Sequence, residues 1–164
     1  MYLLDTGVVF ELRKAKAGQT DSGLTSWAAG ASRHSLFISA LTLLELENSA
    51  GRQERIDKAA GMALRDWIGG PVLTAFDGRI LPVDTAVVRR RGQLPYTDAR
   101  DGLMAATAIE HGLILVTRNT AAFKMGRVKV FNPWGYTPDA AEDDDWGQAG
   151  RSGPLWLKNL FVRT

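Results

Sequence analysis

The run Tyr2-Leu3-Leu4-Asp5-Thr6 stays apolar until it meets a carboxylate, which is how a buried strand hands an acid to the rim of a parallel sheet. Two further acids keep equally apolar company. Glu45 lies within Ser39-Ala40-Leu41-Thr42-Leu43-Leu44-Glu45-Leu46, and Asp101 heads Asp101-Gly102-Leu103-Met104-Ala105-Ala106-Thr107-Ala108. A carboxylate in such surroundings is costly unless a positive group meets it. For three of them the least costly partner is a divalent metal ion, and a metal held by carboxylates points toward phosphate chemistry.

Short apolar runs alternate with longer helix-like segments, the pattern of an open α/β sheet with helices on both faces. Strands are expected over Met1–Asp5, His34–Ser39, Arg79–Val83, Leu113–Thr117 and Arg127–Phe131. Pro82 confines the third to an edge, and the unbroken apolar fourth reads as a central strand. Helices are expected over Thr6–Ala15, around Trp27, from Ala40 or Leu41 to a break at Gly51-Arg52, and again through Ile56 to Trp67. A short one is expected over Val72–Phe76, another after Asp84 as N-cap, and the strongest from Asp98 to a stop at Gly112. Residues 17–23 read as a loop, and Gly69-Gly70-Pro71 as punctuation. In such sheets ligands sit beyond the carboxyl ends of the strands, a rim that Asp5, Thr117 and Glu45 (after Ser39) can all reach.

A length of 164 residues fits one domain with a substantial core. No apolar run approaches the roughly 20 residues of a membrane span. The start of the chain goes directly into strand-like sequence, unlike a signal peptide. With no cysteine, disulfides and thiolate metal sites are excluded, and a cytoplasmic setting is expected. Two basic stretches, Arg13-Lys14 with Lys16 and Arg89-Arg90-Arg91, could meet a polyanion, but a solvated helix face explains each at least as well. An acidic run, Glu142-Asp143-Asp144-Asp145, marks the tail, which ends in the apolar Pro154-Leu155-Trp156-Leu157 and Leu160-Phe161-Val162.

Taken singly, each acid has a bland explanation. Asp5 could cap the helix that begins at Thr6, and Asp98 and Asp101, three residues apart on one helical face, suit a helix N-terminus. His34 and His111 read as structural. The functional reading gains from the recurrence of acids at strand ends and helix starts that converge in this topology.

The ordered set of motifs resembles the PIN-domain ribonucleases, in particular the VapC and FitB branch of toxin–antitoxin toxins. The resemblance is carried by Tyr2 through Val9, Ser39 through Leu46, Arg79 through Asp84, Asp101 through Ala108, Ala108-Ile109-Glu110-His111-Gly112 leading to Thr117-Arg118-Asn119, and Asn132-Pro133-Trp134. It spans nearly all of residues 1–134, which implies a PIN-like nuclease domain there and a C-terminal extension over 135–164. The fold it implies is a three-layer one, with a central, mostly parallel twisted sheet of about five strands and helices on both faces. Asp5, Glu45 and Asp101 become the catalytic, metal-binding acids, with Asn119, Asp98, Thr6 and Thr117 in support. The chain departs from the pattern in three places. Asn119 is neutral, Ala122 replaces an acid often found before the phenylalanine, and Gly7 stands where asparagine is common. These departures weaken the case for a second metal and leave three carboxylates intact.

The activity implied is endonucleolytic cleavage of RNA phosphodiesters by metal-activated water, with Mg²⁺ or Mn²⁺ as cofactor. The resemblance further implies a toxin of a type II toxin–antitoxin system, an RNA substrate, a homodimer, and a cognate antitoxin that can join it in a hetero-oligomer. The reading from another class is a catalytically weak PIN domain serving as an RNA- or protein-binding module, which the neutral Asn119 keeps open. A haloacid-dehalogenase-like phosphatase would need a second aspartate where Gly7 stands, and a receiver domain an acidic pair after the first strand. A nucleotide-binding glycine fingerprint is absent.

Overall fold

The computed structural model describes residues 1–15 and 19–137. Five strands, β1 (Tyr2–Leu4), β2 (Leu36–Ser39), β3 (Ile80–Leu81), β4 (Ile114–Val116) and β5 (Val130–Phe131), form one sheet in the order β3-β2-β1-β4-β5. Every pairing is parallel, with Tyr2 opposite both Leu36 and Ile114, Leu4 opposite Val116, and Ser39 opposite Leu81. Because side chains alternate across a strand, Leu3 and Leu4 enter different cores. Leu4 and Val116 join the larger one with Val8, Leu12, Trp27 and Trp67. Leu3 and Leu115 join the other with Met104, Ala105, Ala108 and Phe123.

The connecting helices are α1 (Thr6–Lys14), α2 (Ser22–Gly30), α3 (Ala40–Ile56), α4 (Lys58–Trp67), α5 (Leu73–Ala75), α6 (Thr85–Gly92) and α7 (Ala99–Glu110). Their starts follow from short polar caps whose side chains accept backbone N–H groups left free in the first turn. Ser39 accepts from Leu41 at 3.1 Å, Asp84 from Val87 at 3.0 Å, and Asp98 from Asp101 at 2.8 Å. Gly112 adopts φ of +64°, the left-handed turn that ends α7 at the position expected.

Two expectations fail locally. The Gly51-Arg52 break does not occur, since α3 runs on to Ile56. One glycine costs a helix about 1 kcal/mol, which packing of α3 against α4 outweighs. The chain breaks instead at Asp57, whose carboxylate accepts from Ala60 N at 3.0 Å and starts α4. Gly69-Gly70-Pro71 does not interrupt the path either, because residues Ile68–Val72 form a π-helical turn between α4 and α5. The wider turn is a known way for a helix to carry an irregularity on.

On the β3 edge, the buried Arg79 donates from one guanidinium to the carbonyl oxygens of Arg33 (2.6 Å), Leu36 (2.7 Å) and Ala75. At the opposite edge, Trp27 packs 5.5 Å from the Phe131 ring. Packing continues past Trp134: Gly135 N–H donates to Asp21 at 3.1 Å, and the Tyr136 ring lies 6.3 Å from Phe131. The acidic run and apolar end of the tail lie outside the described residues, as do Lys16 and residues 17–18 of the expected loop.

The α3–α4 pair approaches most closely at Gly61, where an added Cβ would stand 2.4 Å from the backbone nitrogen of Glu54. Gly61→Ala is expected to force the two helices apart at a cost of about 1–3 kcal/mol, read as a lower urea midpoint with an unchanged slope.

Candidate active site

Three adjacent parallel strands point their carboxyl ends to one rim, and the next residue of each chain segment is polar or opens a helix. Asp5 follows β1, Thr117 follows β4, and Ser39 closes β2 and caps α3. Glu45 sits in the second turn of α3 and Asp101 in the first turn of α7. The two helices are held together beneath the rim by buried residues, among them Thr42, whose hydroxyl faces the Met104 sulfur at 3.9 Å. Residues 5, 45 and 101, far apart in sequence, therefore come together.

Their meeting point is Arg100. Its Nε donates to Glu45 Oε1 at 2.7 Å, one terminal nitrogen donates to Asp101 Oδ1 at 2.8 Å, and the other donates to Asp5 Oδ1. A guanidinium is a planar fork that can serve several carboxylates at once, and here its three nitrogens together reach all three acids, the one on Asp5 also meeting Glu45 Oε2 at 3.3 Å. Burial works against the charge on Arg100, but the hydrogen bond to Glu45, the charge of Asp5 and the hydrogen bonds to Asp101 and Asp5 outweigh it. The guanidinium is held above its ordinary pKa.

Further acceptor positions on Asp5 and Glu45 are taken by residues expected to support the site. Asp5 Oδ1 also takes the Thr6 N–H at 2.7 Å, and Asp5 Oδ2 takes the Thr117 hydroxyl at 2.8 Å. The Thr6 hydroxyl donates to Glu45 Oε2. Asn119 is one step removed, its backbone N–H donating to the Thr117 hydroxyl at 3.2 Å while the residue itself is exposed. Asp98 is the N-cap of α7 and makes no ion pair with Arg100; its expected part in the site reduces to fixing Asp101 through that residue's N–H. His34 and His111 are both exposed, and His111 is the residue that ends α7.

Two clefts flank the trio. One, of about 300 Å³, runs past Asp5, Gly7, Thr117, Asn119 and Trp134, with the Arg118 guanidinium 5.7 Å over the Trp134 ring. The other, of about 400 Å³, is lined by Thr6, Glu45, Asn48, Ser49, Arg52 and Arg100. Gly7, in the place of a side chain, leaves the first cleft open beside Asp5: a Cβ there would meet nothing within 4 Å.

The donor set suits a hard divalent cation, being three carboxylates with hydroxyls behind two of them. As they stand, no three acidic or histidine side chains among the described residues are grouped to hold an ion. The guanidinium spreads the three acids across its own width. Arg100 was not anticipated from the sequence, although one signal was present. A cation in the first turn of a helix opposes the helix dipole, so Asp98-Ala99-Arg100-Asp101 needs a reason for its arginine.

A five-stranded parallel sheet with acids gathered at its switch point is the architecture the motif order implied. The profile of the PIN domain matches residues 2–128, and the chain belongs to the PIN-domain family. Within it, the chain is related to the VapC and FitB toxins. It is 31% identical over 147 aligned residues to VapC ribonuclease Y4jK of Sinorhizobium fredii, covering 82% of this chain and 98% of the relative. To Toxin FitB of Neisseria gonorrhoeae it is 32% identical over 142 residues, covering 82% and 99%. The crystal structure of FitAcB from Neisseria gonorrhoeae matches with a TM-score of 0.73 at 31% identity, over 82% of this chain and 99% of that one. The structure of FitAB bound to an IR36 DNA fragment matches at 0.70 and 28% identity, over 85% and 99%.

Thr117 is almost fully buried and supplies the donor to Asp5 Oδ2. Thr117→Val is expected to leave that oxygen short of a partner and to cost about 1–3 kcal/mol in urea unfolding, while Thr117→Ser keeps most of the stability.

Proposed function

We propose that the chain is a metal-dependent endoribonuclease, the toxin of a type II toxin–antitoxin pair, with Asp5, Glu45 and Asp101 as its catalytic acids. The observation that carries the reading is the convergence of these three carboxylates on one cation at the sheet's switch point. Kinship with proteins named VapC ribonuclease and Toxin FitB supports the substrate class and the biological role.

Asp5, Glu45 and Asp101 would hold Mg²⁺ or Mn²⁺, and the bound ion would supply activated water and neutralise charge building on the phosphate. Around it, the chain's own residues orient and exclude. Thr117 and the Thr6 N–H fix the Asp5 carboxylate, the Thr6 hydroxyl fixes Glu45, and Asp98 fixes the first turn of α7. The flanking clefts offer room for a single strand on either side of the trio, with Arg52 in one and Arg118 with Trp134 in the other. Arginine meets backbone phosphate there, and an aromatic face gives a base a stacking surface. The nuclease domain is taken as residues 1–134, with 135–164 as an extension.

A homodimer and an inhibitory antitoxin belong to the same proposal. Leu44, Ile56 and Met62 on α3 and α4 are 55%, 82% and 51% exposed, more apolar surface than those helices need to cover their own core. The second reading, a binding module without strong catalysis, is favoured by the neutral Asn119 and by the arginine among the acids.

Cleavage of single-stranded RNA in Mg²⁺ or Mn²⁺ is the expected result, abolished by EDTA. Asp5→Asn, Glu45→Gln and Asp101→Asn should each lower the rate by roughly a hundredfold or more, the loss of several kcal/mol of transition-state stabilisation. RNA binding that persists with no cleavage by the wild type would select the binding-module reading. Binding should weaken steeply as salt rises, through phosphate contacts that release counterions.

A further inference from the structure

Arg100 adds one positive charge to a pocket that holds three carboxylates, so the group as a whole stays acidic and open to a stronger cation. The two kinds of cation ask for different arrangements. A small divalent ion needs carboxylate oxygens within about 2.0–2.1 Å of one point. The guanidinium instead keeps Glu45 and Asp101 on separate nitrogens at 2.7 and 2.8 Å, with Asp5 and the second Glu45 oxygen on the third. Its plane fills the space the oxygens would have to close over, so the two occupancies exclude one another.

The arginine is also built to leave. It stands on the second residue of α7, its side chain is 33% exposed, and every hydrogen bond of its guanidinium is to one of the three acids. The cleft shared by Arg100, Glu45, Asn48, Ser49 and Arg52 lies beside it, so the long side chain can turn into open space without moving the helix. Asp101 remains behind at the rim, capped in place by Asp98.

We propose that Arg100 is a displaceable internal counter-ion that competes with a divalent cation for the Asp5, Glu45 and Asp101 carboxylates. Its side chain thereby sets how tightly the site takes up the ion. The inference rests on the metal-dependent reading above and deepens it. Without the ion, Arg100 holds the acids together and relieves their mutual repulsion. With the ion bound, the guanidinium is released into the flanking cleft. A site whose competent form is the minor one binds its ligand more weakly in proportion to that population.

Mn²⁺ binding to the full chain, followed by electron paramagnetic resonance of the free ion, tests this without reference to cleavage. Arg100→Ala should tighten Mn²⁺ binding by about tenfold or more, as expected when the closed form holds most of the population. Arg100→Lys, which keeps the charge and loses the fork, should fall between it and the wild type. Arg90→Ala, removing an equal charge from an ion pair with Glu110 at the far end of α7, should change nothing. In the absence of metal Arg100→Ala should melt at a lower temperature than the wild type, and Mn²⁺ should raise its melting temperature by the larger amount. Should Arg100→Ala prove unable to fold without metal, Arg100→Lys carries the comparison alone. Equal or weaker Mn²⁺ binding by both variants, with wild-type binding intact, overturns the competition and leaves the nuclease reading standing. Failure of wild type and variants alike to bind Mn²⁺ overturns both.

Discussion

Mutual repulsion among three carboxylates is the constraint around which this molecule is arranged. A parallel sheet sends the ends of neighbouring strands to one edge, and here the polar groups at that edge include Asp5 directly and Glu45 and Asp101 through α3 and α7. Left alone, the acids would push those elements apart. Each instead has specific partners: two threonine hydroxyls, a backbone N–H and one guanidinium. The apolar contacts beneath, with Met104, Ala105 and Ala108 of α7 closing over Leu3 and Leu115, hold the frame that makes the convergence possible.

Much of this could be read along the chain. The unbroken apolar runs of β1 and β4 announce central strands, and Pro82 correctly sends β3 to an edge. Asp84 and Asp98 as caps, and Gly112 as a stop, act through bonds within four residues, so local sequence suffices to find them. Glycine and proline mislead where tertiary packing overrides them. Gly51 lies inside a helix whose partner helix supports it, and Gly69-Gly70-Pro71 is absorbed by a wider helical turn.

At the site, the trio of acids was legible because each stands in apolar surroundings that require an explanation. Thr117 and Thr6 were legible as neighbours of strand ends. Asp98 was assigned to the same cluster, and the structure gives it the narrower work of capping α7. The one local sign of Arg100, a cation where the helix dipole disfavours it, says that a partner is needed and not which acids supply it. Contacts spanning 55 and 95 positions leave no periodic trace in one sequence. The same holds for the clefts on either side, which are made by gaps between elements and by the missing side chain of Gly7.

Arg79 has a consequence for how this architecture can change over time. Three carbonyls from two separate stretches of chain, those of Arg33 and Leu36 around the start of β2 and of Ala75 in α5, end on a single guanidinium. Lysine offers one ammonium in place of a rigid fork and would leave buried acceptors unanswered. The outer margin beyond β2 is therefore stitched by two arginines, Arg79 and the Arg33 that donates to the Thr74 and Ala75 carbonyls, and a lineage that loses the first must rebuild a seam the second holds only in part.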